Sequence, residues 1–279
     1  MTIYRFKTRL NIFEAIVNAD ESFVKIGGDK YRDCINVAIV KRDGIPIYAK
    51  IPHLESEPEC GVAKFLDKTE KDSTVDFICG SLQFIHHLYP SITRFEFMDD
   101  SKIECGIQTA LKPPRKIVKP LSLAHLYIAK YGSSWYETKF KAKLINDAHY
   151  QAYRDATKVL FQEHTMKYSD FKGENSLSDE QDRILEPLYN SSTTWIEFFN
   201  AVPKESHCEC FLLWLPFFIN KLLKDSFIQN TWYIDIETMP KTDMTILTSN
   251  TKGGRRTRRS LRQSKSMRFS NNLSYGSFE

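Results

Sequence analysis

Residues 74–89, TVDFICGSLQFIHHLY, followed across Pro90 by residues 91–105, SITRFEFMDDSKIEC, decide how this chain folds. Val75, Ile78, Cys79, Leu82, Ile85 and Tyr89 recur at three- and four-residue spacing, which places them on one face of an α-helix. Ser73 with Asp76 three residues later has the form of a capping box, so the helix is expected to start at Ser73 and to stop at Pro90. Gly80 lies inside the stripe, where it costs about 1 kcal/mol relative to Ala. Close packing against a neighbouring element would explain its presence. Ile92, Phe95 and Phe97 mark a strand, Asp99-Asp100-Ser101 suits a tight turn, and Ile103 and Cys105 continue into a second strand.

Toward the N-terminus, INVAIVKRDGIPIYAKIPHL joins two β-branched runs at Asp43-Gly44, a strong hairpin signal. Ile35, Val37 and Ile39 share one face of the first strand, and Ile45, Ile47 and Ala49 one face of the second. Gly27-Gly28 reads as a turn. It is no phosphate loop, because neither GxGxxG nor GK[ST] surrounds it. Toward the C-terminus, the basic link KPPRKIVKP leads to the helix LSLAHLYIAKY with Gly132 at its end. Ser134 with Glu137, Ser178 with Gln181, and Thr194 with Glu197 start three further helices. Another helix spans 150–163, and 165–178 reads as a polar surface loop. HCECFLLWLPFFINKLLKDSF is the most apolar helical candidate, kinked at Pro216, and TWYIDI and MTILTS form a closing pair of strands.

This pattern predicts an α+β fold, a small, mainly antiparallel sheet packed by helices. Residues 1–144 form its core domain, and 145–250 a mostly helical continuation closed by the strand pair. The longest apolar run, Phe211–Ile219, is far shorter than a bilayer span and contains Pro216. With no opening apolar segment of signal-peptide type, a soluble intracellular protein is expected. The six cysteines (34, 60, 79, 105, 208 and 210) contain no CxxC pair, so free buried thiols are expected.

Charge is unevenly placed. From Thr251 onward Lys252, Arg255, Arg256, Arg258, Arg259, Arg262, Lys265 and Arg268 face Glu279 alone, a net +7. The whole chain carries +4, which leaves 4 − 7 = −3 for the first 250 residues. Eight cations within 251–268, with many serines and little apolar content, describe a disordered basic tail. Such a tail releases counterions on binding nucleic acid or another polyanion, without reading sequence. It also has the composition of a nuclear-import signal, and its serines and Thr257 could accept phosphate.

Elsewhere each candidate has a plain structural reading. His207-Cys208-Glu209-Cys210 holds possible zinc ligands, yet a structural zinc site needs a second ligand group, for which only His86-His87 offers itself. His86 and His87 suit the C-terminal end of a helix dipole, and Cys79 lies on an apolar stripe. Asp99 and Asp100 fit either acid–base chemistry or a turn. Trp135, Tyr136 and Phe140 fit either ring stacking on a ligand or helix anchoring.

The pattern TVDFICGSLQFIHHLYPSITRFEFMDDSKIEC … LSLAHLYIAKYGSSWYETKFKAKL, with the tail GGRRTRR, resembles a group of uncharacterised proteins of large nucleocytoplasmic DNA viruses. The resemblance covers residues 72–144 and the tail, and implies a viral accessory protein rather than a reaction. The order hairpin, helix, strand, helix is also similar to the GNAT acetyltransferase fold. That family holds acyl-coenzyme A through a Gly-rich loop before the central helix. Here KTEKD precedes the helix, and Cys60-Gly61-Val62-Ala63 lies too early, so no cofactor residues carry over. Three roles follow: a polyanion-binding accessory protein, a GNAT-like acyltransferase, or a structural component of the virion.

Overall fold

The structure is a computed structural model describing residues 1–28, 33–54, 60, 73–108, 116–227 and 231–251. In chain order its elements begin with β1 (Thr2–Lys7), β2 (Ile12–Val17), β3 (Phe23–Ile26), β4 (Ile35–Arg42) and β5 (Ile45–Leu54). Then come α1 (Ser73–Leu88), β6 (Arg94–Met98), β7 (Lys102–Gln108), β8 (Lys116–Ser122), α2 (Leu123–Tyr131), α3 (Trp135–Phe140) and β9 (Lys143–Leu144). The rest are α4 (Asp147–Thr157), α5 (Tyr168–Asn175), α6 (Asp179–Ser191), α7 (Trp195–Ala201), α8 (His207–Phe211), α9 (Leu215–Leu222), β10 (Thr231–Asp235) and β11 (Thr245–Thr251). The fold is α+β, and its sheet is larger than expected. Among the described residues no helix is long and apolar enough to cross a membrane.

Two compact units divide the chain: Met1–Phe95 with the segment from Pro240 onward, and Glu96–Met239. This differs from a division near 144 and 250. The helices on either side of 144 pack together, α2 against α7 and α9, while β11 returns to pair with β1.

In the first unit the strand order runs β11-β1-β2-β3-β4-β5, with antiparallel ladders throughout. Asp43 and Gly44 both take left-handed φ, 52° and 78°, as the two-residue β4–β5 turn requires. Ile35, Val37 and Ile39 are buried together as expected. Ile45, Ile47 and Ala49 do not share a buried face: Ala49 is buried, whereas Ile45 is 61% exposed. A bulge explains this, since Val40 pairs with Tyr48 but Lys41 with Pro46, and the skipped residue reverses the alternation.

Helix α1 lies on β1 and β2, with Phe84 stacked on Phe6 at 4.7 Å and Phe77 tilted against Phe13 at 4.6 Å between ring centroids. Ile78, Cys79, Leu82 and Ile85 are buried as the stripe predicts, and Phe77 and Phe84 join them. Asp76 has a different task from the expected capping box. Its carboxylate accepts Thr8 Oγ1 at 2.5 Å, Leu10 N–H at 3.2 Å and the Thr242 hydroxyl. Gly80 marks a close approach, because a Cβ there would fall 2.2 Å from Thr8 Cγ2. Thr8 cannot turn away while its hydroxyl serves Asp76 and accepts Asn11 N–H.

The cysteine expectation is corrected. Cys34 and Cys60 are joined at 2.04 Å in the first unit, and Cys105 and Cys208 at 2.08 Å in the second; only Cys79 and Cys210 are free among the described residues. The partners lie 26 and 103 residues apart, so no local spacing announces them. Closing a loop of about 100 residues stabilises a fold by about 4.7 kcal/mol in the chain-entropy account.

The second unit corrects several further expectations. β6 and β7 do not form a hairpin: β7 pairs antiparallel with β8, so the later part of the basic link, from Lys116 on, is a strand. β10 and β11 do not pair with each other; β10 takes β9. The expected loop over 165–178 contains α5, because Phe171 is fully buried among Tyr189, Trp214, Phe198 and Phe218 at 5.1–5.4 Å. At Pro216 the apolar segment breaks into α8 and α9, with the proline in the first turn of α9, where its missing N–H costs nothing. The three capping boxes at Ser134, Ser178 and Thr194 form as predicted, and Gly132 ends α2 at φ 67°.

Gly80→Ala is expected to lower stability by about 1–3 kcal/mol through overpacking, despite the gain in helix propensity. Urea unfolding measures this; an unchanged or higher midpoint would mean that Thr8 yields.

Candidate functional site

The strongest chemical feature of the sequence, the run of cations from Lys252 to Arg268, follows directly on an edge strand. β11 is the terminal strand of its sheet, paired with β1 from Thr2↔Thr251 to Lys7↔Thr245, with a register shift at Arg5/Phe6. Lys252, Arg255, Arg256, Arg258, Arg259, Arg262, Lys265 and Arg268 lie outside the described residues, as do Thr257 and the serines of the tail. Thr242 precedes β11 by three residues and is fixed by its hydroxyl to Asp76 and by its N–H to Gln83 Oε1 at 2.9 Å. Arg5, opposite Thr248, pairs with Glu14 at 3.3 Å.

The other candidates have local partners. His86 Nδ1 lies 2.8 Å from the Ile92 carbonyl, joining the end of α1 to the turn after Pro90. His87 is exposed at the same helix end. Asp99 Oδ1 accepts the N–H of Ser101 at 3.2 Å and its hydroxyl at 2.5 Å, which is the turn the sequence suggests. Burial raises the Asp99 pKa, and Oδ2 is buried with no hydrogen-bond partner among the described residues. Tyr136 stacks obliquely on Phe97 at 4.5 Å and on Phe140, with Trp135 edge-on to both Tyr136 and Phe140, so the three rings anchor α3. Burial pushes the thiols of Cys79 and Cys210 up to about 12, with Asp76 and Glu209 adding repulsion, so both stay protonated at neutral pH.

The His207-Cys208-Glu209-Cys210 cluster is taken apart by the fold. Cys208 is bonded to Cys105, Cys210 is buried, and His207 Nε2 faces Lys130 Nζ at 3.3 Å. Among the described residues no group of three His, Cys, Asp or Glu side chains could hold a metal ion. Burial, and then the charge of Lys130, lower the His207 pKa to about 4. Burial and Lys204 lower that of Lys130 as well.

A second cluster has no counterpart in the sequence reading. Ser122, His125 and Asn220 form a hydrogen-bonded row. The S-x-x-H spacing at the start of α2 was visible. Asn220 lies 95 residues from His125, and only the packing of α9 on α2 brings it there.

Below pH 6.5 the unfolded chain takes up a proton at His207 that the folded chain refuses until about pH 4. Stability should therefore fall as pH drops through that window and level off below it. Urea midpoints of the parent and His207→Gln proteins across pH 4–7 test this; an identical slope in both would contradict it.

No family model matches the chain, nor does any curated protein or solved structure.

Proposed function

We propose that this is an accessory protein, of the large-DNA-virus kind its sequence resembles, that works within the infected cell and binds nucleic acid or another polyanion through residues 252–268. The observation that carries the reading is the charge distribution: eight cations without an acid between them, after a body of net −3. A body of that sign gives phosphate no general attraction, so binding is concentrated in the tail. Contacts of this type are sequence-independent, and their affinity falls steeply with salt.

A second reading, a component of the virus particle, is favoured by the two disulfides. Disulfides persist in oxidising settings such as a particle outside the cell, and both units contain one. The acyltransferase reading draws less support. Asp76, 5% exposed, puts a carboxylate in the first turn of α1, where a coenzyme A pyrophosphate would seek the helix dipole.

The test is fluorescence anisotropy of a labelled DNA duplex with the full chain and with a full chain in which all eight tail cations are Gln. If every cation meets a phosphate, the logarithm of affinity falls against the logarithm of salt with a slope of about −7. The Gln variant should lose this binding. Equal affinity and slope in both proteins would refute the reading.

A further inference from the structure

We propose that Ser122, His125 and Asn220 form a nucleophilic serine site that takes acyl groups from activated esters or thioesters. All three lie in the second unit, at the junction of β8 with α2 and on the facing α9. Ser122 Oγ is 2.8 Å from His125 Nδ1, and His125 Nε2 is 3.1 Å from Asn220 Oδ1. A carboxamide oxygen only accepts, so the imidazole proton sits on Nε2. That tautomer leaves the Nδ1 lone pair facing Ser122, and the hydroxyl donates to it. The row is therefore nucleophile, base and orienting group, each within hydrogen-bond reach of the next.

The surroundings suit this role. Phe227 meets the imidazole edge-on at 5.3 Å and limits its rotation. Burial lowers the His125 pKa, which keeps the ring neutral and able to accept a proton at neutral pH. Ser122, His125 and Asn220 are each partly exposed, so the row is not sealed inside the core. The positive end of the α2 dipole lies at Ser122 and favours a developing alkoxide.

Ser122 also caps α2, accepting His125 N–H, but at 3.4 Å. A cap needs only the serine oxygen. It needs neither an imidazole nitrogen at 2.8 Å nor an asparagine brought from another helix to fix the tautomer. Ser122 differs from the nucleophile of a G-x-S-x-G elbow, since its φ of −63° is unstrained.

In the reaction, Ser122 Oγ attacks the acyl carbon while Nδ1 takes its proton. The tetrahedral intermediate expels the alkoxide or thiolate, which leaves protonated by Nδ1, and the acyl group stays on Oγ. Water then attacks the acyl carbon, gives a proton to Nδ1, and Oγ leaves and recovers it. Asn220 orients the imidazolium without a countercharge, unlike the aspartate of a Ser-His-Asp triad. A less stabilised imidazolium suits leaving groups of low basicity, hence activated esters and thioesters rather than amides.

The experiment uses the full chain, a fluorophosphonate probe and p-nitrophenyl butyrate, with peptide mapping of the labelled protein and near-UV circular dichroism as the fold control. Ser122 should be the labelled residue. Ser122→Asn, which retains a capping acceptor, should abolish labelling and turnover. His125→Gln should slow both by about 10²–10⁴-fold. Asn220 is a positioning residue: Asn220→Ala should lower kcat with KM unchanged, and Asn220→Asp should restore kcat. A folded parent protein unlabelled at Ser122 overturns the proposal, as does labelling of folded His125→Gln at the parent rate. Should a variant fail to fold, the labelled position in the parent decides alone.

Discussion

The first unit depends on one buried carboxylate. Asp76 accepts from Thr8, from the Leu10 N–H and from Thr242, so a single side chain in α1 holds the β1–β2 connection and the segment that returns from the second unit. A carboxylate taken out of water is tolerated only when donors replace the lost hydration, and here three do so. Its place in the first turn of α1 adds the favourable end of the helix dipole. Thr8 is held in one rotamer as a result, which explains why residue 80 must lack a Cβ. The register of β11 against β1, three residues beyond Thr242, inherits this arrangement, and with it the point from which the basic segment departs.

The second unit is organised by packing instead. Phe171 sits at the centre of rings from α5, α6, α7 and α9, and the Cys105–Cys208 bond ties β7 to α8 over 103 residues of chain. The same packing produces the two unusual polar groupings. α2 carries His125 toward Asn220 of α9 and Lys130 toward His207 of α8. One arrangement leaves a neutral base beside a hydroxyl. The other sets Lys130 Nζ against His207 Nε2; burial lowers both pKa values, with the Lys130 charge adding to the effect at His207 and that of Lys204 at Lys130.

Local signals were legible and distant ones were not. The α1 stripe, the Asp43-Gly44 turn, three capping boxes and Gly132 are each written within a few residues, and each forms. What failed were statements about partners. β6 with β7 and β10 with β11 are consecutive strands, but each finds its neighbour elsewhere, because the pairing of a strand is set by what else needs covering. Ser73 and Asp76 looked like a cap, yet Asp76 is claimed by donors 66, 68 and 166 residues away. α5 was hidden because a single buried residue, Phe171, holds a polar segment in place. Both disulfides and the Ser122–His125–Asn220 row belong to the same class of long-range contact.

A double-mutant cycle between Asp76→Ala and Thr242→Val, followed by urea unfolding, tests the clamp most directly. Hydrogen exchange across β11 in the same proteins supplies the structural readout. A buried hydrogen bond to a charged acceptor predicts a coupling of about 1.5–3 kcal/mol and a loss of β11 protection in either single mutant. Additive effects, with β11 protected as in the parent protein, would contradict the claim that Asp76 fixes the return of the chain.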